Sequence, residues 1–115
     1  MHDVPKNVKQ LLRRHAAAAH EEELRRALLP LAEAFKKWEE GQLGSGELSE
    51  LIHEFHQGPA RELWVRYNPG STSNLVMPVA YAIVTGVLDR ETIPPALLEH
   101  LARAMEFYEE QEARS

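Results

Sequence analysis

Apolar positions recur every three or four residues along most of the chain, a spacing that predicts helices almost throughout. Between Pro5 and Glu40, good helix formers dominate, and Leu24, Ala27, Leu28, Leu31, Phe35 and Trp38 fall on one face. Asp3 followed by Pro5 supplies a start: an acceptor near the N-cap, then a proline in the first turn where no donor is missed. Pro30 falls inside the pattern. It removes a backbone donor and crowds the carbonyl of Arg26, which predicts a kink there or two abutting helices. Gly41 then ends the segment, and 41-GQLGSG-46 is a turn.

A second helix is expected from about Glu47 to Gln57, with Leu48, Leu51, Ile52 and Phe55 as its stripe. Gly58 closes it, and Pro59 suits the first position of a short helix from Ala60 to Tyr67 carrying Leu63 and Trp64. The stretch 68-NPGSTSN-74 reads as a loop. In the apolar run 75-LVMPVAYAIVTGVL-88, a helix from Pro78 to Thr85 competes with a strand over 79-VAYAIV-84, and a lone strand finds no partner in this chain. Pro94-Pro95 opens a last helix to about Glu112, its face formed by Leu97, Leu98, Leu101, Met105 and Tyr108. The pattern predicts an all-α fold: a compact bundle of four to five helices with a kinked long first helix. It forms one domain over residues 1–115, with loose ends at about 1–3 and 112–115 and a loop at 68–74.

Composition narrows the classes of function. Hydrophobic residues make up 43% and charged residues 27%, as in a soluble globular domain. A net charge of −5 disfavours nucleic acid or an anionic membrane as the main partner and leaves a DNA-binding regulator as a minor alternative. The basic doublets Arg13-Arg14, Arg25-Arg26 and Lys36-Lys37 rotate around the first helix rather than forming one stripe. With no cysteine, disulfides, thiolate metal sites and cysteine nucleophiles are excluded. The polar start MHDVPKNVKQ does not resemble a signal peptide, and residues 75–88 fall short of the about 18 to 20 apolar residues that span a bilayer. A cytoplasmic location is the expectation.

The candidate chemistry is thin. Glu50, His53 and His56 stand three apart, so neighbours in the series could offer two ligand atoms to one ion, with Zn, Ni or Fe suiting imidazole and carboxylate. Set against the stripe of the second helix, however, Glu50 and His53 point outward and His56 lies at its edge. His20 shares the apolar face of the first helix and needs a partner: a carbonyl, a glutamate, or a metal shared with His56. His15 is expected on the polar side. Arg61, Trp64, Arg66 and Tyr67 are residue types that dominate binding hot spots and form a candidate recognition patch beside the 68–74 loop. The glycines at 41, 44 and 46 lack the strand and the Gly-Lys-Ser/Thr of a phosphate loop, and Ser49 with His53 lacks an orienting acid. The expectation is a non-enzymatic protein-interaction or assembly module that pairs with another protein, its own copy first, through the long first helix. A transition-metal-binding bundle is the alternative.

Overall fold

The structure, a computed structural model, describes residues 5–114. The Asp3 cap and the loose ends expected at residues 1–3 and at residue 115 lie outside the described residues. Five α-helices carry the fold: α1 Lys6–Glu39, α2 Ser45–Phe55, α3 Arg61–Tyr67, α4 Val76–Val84 and α5 Pro95–Arg114. No strand occurs among the described residues, and the apolar segment 79–84 is helical.

α1 is a single helix of 34 residues. Pro30 sits exposed within it and does not divide it, so two abutting helices do not form. An internal proline costs about 3 kcal/mol, spread here over a long element whose neighbouring residues are alanine, leucine and glutamate. About two turns ahead of it, Glu22 accepts from Arg25 Nε (3.2 Å) and Arg26 Nε (2.6 Å), the i, i+3 and i, i+4 pairs that support a helix locally. The helix ends where Gly41 takes φ 76°. Gly41 N–H donates to Trp38 O (3.1 Å) and Gln42 N–H to Lys37 O (2.8 Å), a Schellman closure that a β-carbon would strain.

α2 begins at Ser45, two residues before the expected start, because Glu47 Oε1 reaches back to accept the Gly44 N–H at 3.2 Å. The expected break at Gly58-Pro59 does not form. Residues His56–Ala60 make a π-helical turn that runs from α2 straight into α3, with helical backbone angles on both sides. Pro59 lacks an N–H and would press its ring on the carbonyl four residues back in an α-helix. Widening the turn to i→i+5 relieves that contact without ending the helix. The 68–74 loop is correspondingly shorter: Thr72–Leu75 fold as a 3₁₀ turn, pinned by Arg13 Nη2 donating to Thr72 Oγ1 at 3.0 Å. α5 runs to Arg114, two residues past the expected end.

The helices form a bundle around one apolar cluster. α1 contributes Val8, Leu12, Ala16 and Ala19; α3 contributes Leu63 and Tyr67; α4 and α5 supply most of the rest, with Val79, Leu97 and Leu101 wholly buried. Alanines on α1 let α4 and α5 approach closely. Beyond Ala27, α1 leaves this cluster and pairs chiefly with α2 across the short turn, forming a two-helix arm. The arm explains the dimensions, 57 × 31 × 23 Å with a radius of gyration of 17.5 Å, where a spherical domain of this length has about 13 Å.

Candidate functional site

Two features follow from this geometry, a cleft at the root of the arm and an apolar face along it. The cleft forms where α1 crosses the π turn. It encloses about 580 Å³ between His20 and Leu24 of α1, His56, Gln57 and Ala60 of the π turn, and Arg61 and Trp64 of α3. His20 is half-buried; it stacks on Tyr67 (centroids 5.6 Å, planes 24° apart) and meets Trp64 edge-on at 6.4 Å. The carbonyl, glutamate or shared metal expected for His20 is not what it meets among the described residues: its contacts are two aromatic rings. Trp64, expected with Leu63 on the short helix and in the recognition patch, is 61% exposed, whereas Leu63 beside it is buried.

The predicted recognition patch divides in two. Arg61 and Trp64 face the cleft. Arg66 and Tyr67 instead turn to α1, where Glu23 accepts from Arg66 Nη1 (3.3 Å) and, through a short hydrogen bond, from the Tyr67 hydroxyl. Tyr67 is buried, and its pKa is raised first by that burial and then by its bond to Glu23, so the phenol stays protonated and donating. Glu23 was not singled out from the sequence; no local signal marks a carboxylate whose partners lie more than forty residues away.

The proposed metal ligands are likewise separated. His20 and His56 line the cleft, but Glu50 and His53 are exposed on α2 and do not. Among the described residues, no group of three or more His, Asp or Glu side chains is placed to hold a metal ion. His15, expected on the polar side of α1, is half-buried; desolvation, and next the charge of Arg14, lower its pKa. His100 is exposed on α5.

Along the arm, apolar side chains outnumber what two helices can cover. Leu28 is 41% exposed, Phe35 40%, Trp38 41%, Leu51 38% and Ile52 40%, while only Ala34 and Leu48 are buried there. The cause is a change of face along α1. At 100° per residue, the stripe from Leu24 to Trp38 is centred about 115° around the helix from the stripe Val8, Leu12, Ala16 and Ala19 that seats the core. Ala34 lies between the two directions, and Leu28 and Phe35 lie on the far edge. Trp38 is held on this face by Phe35, edge-on at 6.4 Å, and by its indole Nε1–H, which donates to Ser45 Oγ at 3.0 Å. No helix among the described residues is long and apolar enough to cross a membrane. Comparison with family models, with curated proteins and with solved structures returned no match.

Proposed function

We propose that the chain is a protein-interaction module that assembles with a second copy of itself through the arm formed by α2 and the C-terminal part of α1. The observation that carries this reading is the row of five large apolar side chains, each about two-fifths exposed, on an element paired with only one other helix. Two such hairpins, related by a two-fold axis, bury each other's open faces as a four-helix arrangement, the usual solution for a helix pair with one uncovered apolar side. The arm face is about 24 Å long, from sixteen residues at 1.5 Å each, and about 20 Å across, giving a footprint of about 500 Å² per copy. Doubled over the pair, that is about 1,000 Å², the lower edge of specific interfaces, so the dimer exchanges with monomer rather than being permanent.

Sedimentation velocity or light scattering from micromolar to millimolar concentration tests the reading. The expected result is a concentration-dependent shift from monomer to dimer, abolished by Leu28→Glu or Ile52→Lys with helix content unchanged. Monomer throughout the range would sink it.

A further inference from the structure

The cleft at the root of the arm has a chemical character of its own. Its apolar lining is Leu24, Ala60 and Trp64; its polar lining is Arg61, Gln57 and the imidazoles of His20 and His56. No carboxylate lines it, although the chain as a whole has a net charge of −5 and 18 acidic residues. None of Arg61, Gln57 and His56 makes a side-chain hydrogen bond or ion pair with another described residue, and His20 makes ring contacts alone. Elsewhere, cations close to acids are paired: Arg25 and Arg26 with Glu22, Arg66 with Glu23, Lys36 with Glu33, Arg90 with Glu109. At the cleft, then, four nitrogen-bearing side chains share the lining with three apolar ones and make no hydrogen bond to another described residue.

We infer that this cleft binds a small amphipathic carboxylate, an aromatic or short aliphatic acid. The ring or chain lies on Trp64 and Leu24. The carboxylate reaches Arg61, whose planar guanidinium matches it with two parallel N–H donors, while the Gln57 amide and an imidazole N–H satisfy the remaining lone pairs. A volume of about 580 Å³ is that of a site for one small molecule. The π turn builds the site. By carrying the rod through Gly58-Pro59 without a break, it sets His56, Gln57 and Ala60 one turn ahead of Arg61 and Trp64 on a single continuous wall. This assignment does not depend on self-assembly, since it uses none of the five exposed apolar residues of the arm.

The test is a titration of the full chain with cinnamate and, in parallel, with cinnamamide, which keeps the ring and loses the charge. The readout is the two indole N–H signals in a proton–nitrogen NMR spectrum, Trp64 being identified by its loss in Trp64→Phe. The expected result is a saturable shift of the Trp64 signal with cinnamate, while Trp38, remote from the cleft, stays put. The amide and the Arg61→Gln variant should each bind roughly tenfold more weakly, the size of a lost charge-assisted pair. Arg103→Gln, which removes another exposed arginine, on α5 and outside the cleft lining, should bind cinnamate like the parent. No saturable shift at Trp64, equal affinity for acid and amide, or an Arg61→Gln variant indistinguishable from Arg103→Gln would each overturn the assignment. None of these outcomes bears on the concentration-dependent mass that tests assembly.

Discussion

At the scale of single residues, Glu23 joins two helices from a largely covered position. It ties α1 to α3 through the Tyr67 hydroxyl and Arg66, and its own side chain is only 17% exposed. Removing it leaves a buried phenol with no acceptor, so Glu23→Ala should cost about 1–3 kcal/mol in urea unfolding. Glu33 offers the contrast: it pairs with Lys36 at 3.3 Å, but both side chains are about two-thirds exposed. Glu33→Ala should therefore cost less than about 1 kcal/mol. If the two variants unfold alike, the Glu23 contacts are not stabilising the α1–α3 junction. Such a pair is invisible in the sequence, because helical spacing reports neighbours three and four apart and nothing about partners on another helix.

At the scale of elements, the π turn is where the sequence pattern misleads and also where it holds the answer. Gly58 followed by Pro59 is ordinary punctuation, a helix end and a helix start. Such punctuation says nothing of phase. Extended as an uninterrupted α-helix, the stripe centred on Leu48 and Phe55 would leave Leu63 and Tyr67 about 90° off its line. One extra residue in a turn sets everything after it back by about 100°, returning both to the side that faces α1. A stripe that resumes out of phase across a proline is the signature of a bulge. Deleting Gly58 should therefore be severe: it restores the α register and swings Leu63 and Tyr67 away from the core, two buried large side chains at about 2–5 kcal/mol each. Gly58→Ala should do the opposite. Its backbone is not in the left-handed region and an added β-carbon meets nothing within 4 Å, so stability should rise by about 0.4–1 kcal/mol. Gly86→Ala, at φ +81°, should lose about 1 kcal/mol or more for the same chemical change. Thermal melts of the three variants settle it: deletion and Gly58→Ala moving in the same direction would mean that the π turn is not what aligns α3.

At the scale of the whole molecule, the all-α class was legible because periodicity is local, and the surplus apolar face on the first helix was legible for the same reason. The half of α1 that seats the core was not. Its buried positions are Val8, Leu12, Ala16 and Ala19, and alanine in a tract such as HAAAAH carries almost no hydrophobic signal although it permits the closest packing. The louder stripe, from Leu24 to Trp38, is the one left partly uncovered. That inversion predicts uneven stability. Amides in α5 around Leu97 and Leu101 are anchored by wholly buried side chains, whereas those of α2 depend on one helix neighbour and on Leu48 as their single buried anchor. Hydrogen exchange should accordingly be faster in Leu48–Phe55 than in Leu97–Met105, since sparse burial lets a segment open without global unfolding. If the arm is also the assembly face, its protection must rise with protein concentration, because a partner that binds only the closed arm stabilises it by mass action. The expected record is slow, concentration-independent exchange in α5 and faster exchange in α2 that slows as the protein is concentrated. The concentration dependence should vanish in Leu28→Glu. Exchange in α2 that is faster but identical at every concentration would leave the arm as a fraying extension and remove the assembly reading with it.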